Sequence, residues 1–147
     1  MKPTIGQIEE YLIKVDKMFP VPLSCKQDLK DFAKKLYDKA TLCLRMQEDK
    51  IVAMVAGYTE NLANEMAYIS IVATCKEAQG NGYAPKLIHE FISICKEKKI
   101  NAVHLYVVPE NEAAVQMYKR IGFQVWEIEQ EPRPEDLHLI YYINEEK

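Results

Sequence analysis

Between Tyr68 and Val108 the apolar pattern changes period twice, and this restricts the fold more than any other feature of the chain. Tyr68 to Ala73 is an apolar run of strand type. Gln79-Gly80-Asn81-Gly82-Tyr83-Ala84 is a glycine turn. Leu87, Ile88, Phe91 and Cys95 then share one face of a helix that ends in Lys96-Glu97-Lys98-Lys99. From Ala102 to Val108, Val103, Leu105 and Val107 alternate with His104 and Tyr106, as in a strand. A strand, helix, strand passage of this length closes as a right-handed parallel crossover. Pro85 is compatible with the helix because it falls in the first turn. Glycine lets the backbone turn sharply and lets an anion come close to it. The first helical N–H groups have no partner within the helix and point at such an anion. The six residues therefore read as a cradle for a phosphate or pyrophosphate, with an ordinary strand-to-helix loop as the alternative.

The chain before this passage has a different grammar. Thr4 with Gln7 is a capping box, and Ile5, Ile8, Leu12 and Val15 continue as a helix to about Met18. Phe19-Pro20-Val21-Pro22 breaks it, and Ser24 with Gln27 reads as a second capping box, opening a helix along Leu29, Phe32, Ala33, Leu36 and Ala40. The apolar, proline-stiffened link between them either packs under the helices or walls a pocket. Thr41 to Met46, Ile51 to Tyr58 and Met66 to Ala73 are strands joined by short connections, which predicts an antiparallel meander. Downstream, Asn111 caps a helix through Ala114, Val115 and Tyr118 that Gly122 stops. Phe123 to Ile128 and Leu137 to Ile143 read as closing strands around the acidic, proline-containing loop Glu129 to Asp136. The expected architecture is a single α+β domain over 1–147 with a mixed, mostly antiparallel twisted sheet and flanking helices.

Composition removes several function classes. A chain of 147 residues builds one core, and no apolar run reaches the roughly 20 residues that span a bilayer. Met1-Lys2-Pro3-Thr4 leads straight into a helical pattern, with no signal peptide. Cys25, Cys43, Cys75 and Cys95 are dispersed with no C-x-x-C pair, which argues against zinc or a disulfide framework and for reduced thiols in the cytoplasm. The net charge of −3, with both signs interspersed, argues against a nucleic-acid footprint. The expectation is no metal, no nucleic acid and no membrane. Oligomeric state is not encoded legibly, and a homodimer stays open.

Two common phosphate-binding motifs fail. No G-x-x-x-x-G-K-[ST] is present, and a dinucleotide fingerprint would need a small residue at Pro85 and would open the fold. The turn instead fits Q/R-x-x-G-x-G/A, met by Gln79, Gly82 and Ala84. A second pattern, V-x-L-x-V-x-x-x-N-x-x-A-x-x-x-Y-x-x-x-G-F, is met by Val103, Leu105, Val107, Asn111, Ala114, Tyr118, Gly122 and Phe123. With these two motifs and this order of elements, the chain resembles the GNAT acetyltransferase superfamily. The likeness covers roughly Thr41 to Ile143 well and the N-terminal helices by order alone. The family opens on a strand before its first helix, and here that strand is missing or very short.

The resemblance implies transfer of an acetyl group from acetyl-CoA, as co-substrate, to an amine of a small molecule or peptide. It implies two splayed parallel strands, Met66 to Ala73 and Ala102 to Val108, with the pantetheine arm in the gap. Backbone groups near Ile71, Val72 and Ala73 would pair with the pantetheine amides, those of Gln79 to Ala84 (Gln79, Gly80, Asn81, Gly82, Tyr83 and Ala84) would take the pyrophosphate, and Asn111 would contact the cofactor arm. Tyr118 falls at the family's acid position. A phenol with a reference pKa near 10 is protonated at neutral pH and can protonate a departing thiolate. Where relatives carry a glutamate base, this chain has Tyr106 or Met66, and alternation turns Glu65 to the opposite face. Tyr68 and Tyr106 are the candidates to line the acceptor site or order a water, with packing aromatics as the alternative. His104 shares their face but reads as a structural histidine, and His89 and His138 have no supporting constellation. Cys75, without a paired histidine, gives little support for an acyl-cysteine step. The missing glutamate keeps open a CoA-binding regulatory module without turnover, and nothing excludes O-acetylation of a sugar.

Overall fold

A computed structural model describes residues 2–60 and 65–143. It opens on helix α1 (Ile5–Val15), then α2 (Leu29–Lys39), and continues through strands β1 (Thr41–Gln47), β2 (Lys50–Tyr58) and β3 (Met66–Thr74). Helix α3 (Tyr83–Glu97), strand β4 (Ala102–Val107), helix α4 (Glu112–Ile121) and strands β5 (Gln124–Val125) and β6 (Leu137–Tyr142) complete it. The sheet order is β1-β2-β3-β4-β6-β5. Only β3 and β4 pair in parallel; β1–β2, β2–β3, β4–β6 and β5–β6 are antiparallel. The expected mixed α+β architecture is therefore present, and Lys2–Thr4 carry no strand before α1.

Two apolar clusters sandwich the sheet. On one face Ile8, Tyr11, Leu12, Phe32 and Leu36 of α1 and α2 pack on Met54, Ala56 and Ile71. On the other, Leu87, Ile88 and Phe91 of α3, with Val115 and Tyr118 of α4, pack on Val55, Ile69, Val103 and Leu105. Gly57 belongs to the α3 side of β2. A Cβ there would lie 2.3 Å from the Tyr68 carbonyl and 2.7 Å from the Phe91 ring, so the close approach of helix to sheet requires glycine.

A bulge in β3 matters most for function. Ala56 opposes Ile71 and Gly57 opposes Ile69, leaving Ser70 as an extra residue. The side chains change faces across it. Ala67 and Ile69 lie in the α3–α4 cluster, whereas Ile71, with Ala73 packed beside it, lies in the α1–α2 cluster. The parallel ladder to β4 stops before the bulge, after Met66–Ala102, Ala67–Val103 and Tyr68–His104. Beyond those rungs β3 stays with β2 and β4 stays with β6, so the sheet splits.

Two local expectations are corrected. Helix α2 starts at Leu29 under Asp28, whose carboxylate accepts from Lys30 N at 2.8 Å and Asp31 N at 3.1 Å. Ser24 does not cap it. Its N–H and hydroxyl instead donate to the two carboxylate oxygens of Asp16, at 2.8 and 2.7 Å, because that carboxylate is buried and needs donors. The strand expected over Phe123 to Ile128 shortens to Gln124–Val125, although Trp126 N still donates to the His138 carbonyl at 2.8 Å. Trp126 turns its ring onto His138, with centroids 4.8 Å apart, and leaves the ladder.

All four cysteines are free thiols. Cys43, Cys75 and Cys95 are buried, and Cys25 is exposed in the short turn Leu23–Cys25 before α2. Burial pushes the Cys43 thiol up to about 11 and the Cys95 thiol up to about 12. Among the described residues no helix is long and apolar enough to cross a membrane.

Candidate active site

A cavity of about 670 Å³ occupies the split in the sheet. Its walls are Tyr68–Thr74 of β3 and Leu105–Val107 of β4, with the turn before α3 at one end. Main-chain directions along β3 follow from one bond: Cys75 N donates to the Val52 carbonyl at 2.7 Å. In an antiparallel ladder alternate residues face the partner strand. Ile71 and Ala73 thus turn their N–H and C=O groups to β2, while Val72 and Thr74 turn theirs into the split. The Ala73 carbonyl also accepts from the Tyr11 hydroxyl at 2.6 Å.

At the head of the split, Gly80 and Gly82 both have left-handed backbones, at φ +89° and +74°, and a Cβ on either would meet nothing within 4 Å. The space beside them is open. The loop is braced from within: Gln79 Nε2 donates to the Thr74 carbonyl at 3.1 Å and Asn81 Nδ2 to the Ala78 carbonyl at 2.9 Å. Side chains cap α1, α2 and α4 through Thr4, Asp28 and Asn111, but none caps α3, whose first turn holds no acidic residue. The first turn of α3 therefore keeps N–H groups unmet by any side chain, with the positive end of the helix dipole behind them. Gln79, Gly80, Gly82, Tyr83 and Ala84 line the cavity; Asn81 does not, consistent with its role as a brace.

Asn111 and Tyr118 reach the cavity from α4. Asn111 Oδ1 accepts from Ala114 N over a long 3.4 Å, which leaves its side-chain amide N–H₂ for another partner. The Tyr118 ring is 6% exposed and packs edge-on against Phe123 at 5.6 Å. Among the described residues the one buried side-chain polar atom without a partner is the Tyr58 hydroxyl. The Tyr118 hydroxyl, which has no hydrogen-bond partner among the described residues, is thus open to the cavity it lines. Burial holds its pKa well above the ordinary phenol value, so it is a protonated donor at neutral pH.

The other end of the cavity is walled by Met18, Phe19, Val21 and Leu23 of the α1–α2 link and by Arg133 and Asp136 of the loop before β6. Met18 and Val21 are 40% and 42% exposed, so the link serves as wall as well as packing. Tyr68 and Tyr106 line this cavity, with ring centroids 6.4 Å apart. Of the loop's carboxylates Asp136 lines the cavity, whereas Glu131 turns inward. Its Oε1 accepts from the Tyr106 hydroxyl at 2.5 Å, and its Oε2 lies 2.9 Å from His138 Nδ1. His138 Nε2 lies 2.8 Å from His104 Nδ1. His138 is 5% exposed. Its lack of a constellation in the sequence is corrected here, since its partners lie 7 and 34 residues away. Burial, with His138 adjacent, lowers the His104 pKa to about 4, against a pull upward from Glu131. For Glu131 burial acts upward, but hydrogen bonds from Tyr106 and His138 outweigh it and hold the carboxyl below its usual value. Burial and the bond to Glu131 raise the Tyr106 phenol well above the ordinary range. No group of three or more His, Cys, Asp or Glu among the described residues is arranged to hold a metal ion.

The model of the acetyltransferase (GNAT) family matches residues 10–123, and the chain belongs to that family. It is 37% identical over 59 residues to mycothiol acetyltransferase of Paenarthrobacter aurescens, an alignment covering 40% of this chain and 18% of that protein. It is 36% identical over 56 residues to N-alpha-acetyltransferase 30 of Schizosaccharomyces pombe, covering 38% of this chain and 37% of that protein. The matched segment thus spans well under half of either relative. Over the whole fold, a GNAT-family acetyltransferase structure from Staphylococcus aureus Mu50 superposes with a TM-score of 0.76 at 16% identity, covering 95% of this chain and 93% of that one.

Proposed function

We propose that the protein moves an acetyl group from acetyl-CoA to an amine of a small molecule or peptide by direct attack. The observation that carries this reading is the uncapped start of α3 at one end of a split whose other wall presents the Tyr118 hydroxyl. The backbone N–H groups over Gln79 to Ala84 take the CoA diphosphate. Val72, with Thr74 beyond it, offers main-chain groups to the pantetheine amides, while Ile71 and Ala73 shape the wall. The Asn111 side-chain amide donates to the cofactor arm. Tyr68 and Tyr106 line the acceptor end.

Acetyl-CoA supplies an already activated thioester, and no metal is required for amine attack. The amine must arrive neutral, and its attack places negative charge on the carbonyl oxygen. A preorganised N–H at the β3 bulge stabilises that charge without reorganisation. As the C–S bond breaks, Tyr118 donates to the sulfur. A free thiol titrates near 8.5 and this phenol far higher, so the phenol first stabilises the leaving thiolate by hydrogen bonding, and water completes proton exchange.

A two-part experiment tests the reading. Acetyl-CoA at millimolar concentration should raise Tm, and CoA release should accompany a screen of diverse amines and sugars. Sustained release that disappears in Tyr118→Phe supports the enzyme. Stabilisation without release for any acceptor would instead fit a CoA-binding module, and release with sugars alone would fit O-acetylation. No stabilisation by acetyl-CoA would refute the cofactor site.

A further inference from the structure

The polar cluster behind Tyr106, in which His138 is buried and His104 and Glu131 are half-buried, has no task in the reaction as drawn so far. Apolar side chains of similar volume would fill the buried His138 position at least as well, so packing alone does not account for an imidazole there that is hydrogen-bonded to a half-buried carboxylate and a second imidazole. We propose that Glu131, acting through the Tyr106 hydroxyl, is the proton acceptor of the transfer reaction, with His138 and His104 as positioning residues. The inference rests on the acetyltransferase reading above.

The hydrogen-bond directions are fixed by chemistry. An ionised carboxylate only accepts, so the His138 Nδ1 facing Glu131 Oε2 at 2.9 Å carries a hydrogen. In neutral His138 the other nitrogen is then a lone pair, and the contact at 2.8 Å must be donated by His104 Nδ1. Glu131 receives three donors: the Tyr106 hydroxyl at 2.5 Å, His138 Nδ1–H, and the backbone N–H of Arg133 at 3.3 Å. The Arg133 guanidinium lies 4.9 Å from the Tyr106 ring centroid and adds positive charge on that side. The titratable and charged groups facing the Tyr106–Glu131 pair are thus Tyr68 from β3, His104 from β4, His138 from β6 and Arg133 from the loop. All of them favour an ionised carboxylate or are neutral beside it. Tyr106 lines the cavity, whereas Glu131 does not, so the phenol is the connection between acceptor and carboxylate.

The step balances. The amine lone pair forms the C–N bond, and the carbonyl π pair moves to oxygen. The nitrogen, now cationic, passes its proton to Tyr106 Oη while the Tyr106 hydroxyl proton passes to Glu131 Oε1. Collapse breaks C–S, and the thiolate leaves under hydrogen bonding from Tyr118 and takes its proton from water. Glu131 then returns one proton to solvent. Because Tyr106 gains one proton as it loses another, no free phenolate forms.

The test uses the full chain, acetyl-CoA and the best amine found by the screen. Glu131→Gln keeps an oxygen for Tyr106 but removes the basic group. It should lower kcat about a hundredfold or more, leave KM for acetyl-CoA and the acetyl-CoA-induced rise in Tm unchanged, and remove the acidic limb of the pH–kcat profile. Tyr106→Phe should match it, which guards against a folding defect peculiar to one variant. His138→Leu, which has no donor, should keep the acidic limb but move it to higher pH, because Glu131 loses a hydrogen bond; a purely structural role would leave the limb where it was. A Glu131→Gln enzyme with kcat within threefold of wild type and an unchanged limb overturns the proposal. Wild-type protein that binds acetyl-CoA but acetylates no amine overturns it together with the reading on which it rests, and that failure is recognisable because every variant is then equally silent.

Discussion

Replacing Gly82 by alanine separates the fold from the anion cradle. Gly82 sits at φ +74° and ψ +19°, where an L-residue pays roughly 1–2 kcal/mol. Alanine recovers about 0.4–1 kcal/mol by narrowing the unfolded ensemble. Taken together these leave a net loss of around 1 kcal/mol, which for a domain of 147 residues lowers Tm by about 2–4 °C. The new methyl group meets nothing in the protein within 4 Å, so packing adds no further cost. Any loss beyond this belongs to the ligand whose place the methyl takes. At a hundredfold excess over Kd, acetyl-CoA stabilises wild type by about 2.7 kcal/mol, or about 5–10 °C. A tenfold weaker Kd removes about 1.4 kcal/mol of that increment. Differential scanning fluorimetry with and without acetyl-CoA reads both numbers from one protein. A variant whose apo Tm falls while its ligand-induced rise stays equal to wild type would refute the cradle, because it would show the diphosphate lying elsewhere.

Other expectations concern separate parts of the molecule. Tyr118→Phe keeps the buried ring and deletes a hydroxyl with no hydrogen-bond partner among the described residues, so stability should stay within about 0.5 kcal/mol while kcat falls and acetyl-CoA binding persists, as denaturation and steady-state kinetics will show. Phe91→Ala empties a fully buried site between α3 and the close-approach Gly57 and should cost about 3–5 kcal/mol in urea unfolding. Asp28→Ala removes the two hydrogen bonds that cap α2 and should cost about 1 kcal/mol in the same assay. Acid should destabilise the fold in two windows. His104 titrates at about 4 when folded and near 6.5 when unfolded, so the unfolded chain binds more protons between those values. Its contribution is complete above 6.5 and is lost as pH falls towards 4. Glu131, held below its usual carboxyl value, adds a loss at lower pH still. His104→Gln should flatten the upper window in a pH series of Tm values.

The sheet, the crossover and the glycine turn were legible because each rests on local rules. Gly80 and Gly82 occupy the left-handed backbones their identity implies, and Gly122 ends α4 with φ +128°. The bulge at Ser70 was not legible. Ile69-Ser70-Ile71 alternates as an unbroken strand would, so nothing in the sequence shows that Ile69 and Ile71 face opposite sides of the sheet. The start of α2 was misread because Ser24 and Asp28 are both good caps by type, and only the buried Asp16, eight residues from Ser24, decides between them. Tyr11, not among the positions read as the apolar stripe of α1, is 1% exposed and ties α1 to β3 through the Ala73 carbonyl. Of the positions matching the family motifs, Gln79, Gly82, Ala84, Leu105, Val107, Asn111, Ala114 and Tyr118 line the cavity, whereas Val103, Gly122 and Phe123 do not. The Glu131–His138–His104 array escaped because it joins β4, β6 and a loop, and its contacts arise only when the strands pair. The signal available was a glutamate seven residues before a histidine that the register sets opposite Tyr106.

The distribution of thiols has a practical consequence. Cys43 and Cys95 hold their protons too tightly to react at neutral pH, and Cys75 lies sealed between α1 and the sheet. Cys25 alone is open to water, on the turn next to Lys26 at the rim of the cleft. A maleimide fluorophore would therefore attach at one place on the unmodified chain, with no background cysteines to remove. Its emission would report when the acceptor mouth fills, and the order in which the two substrates enter could be followed in real time.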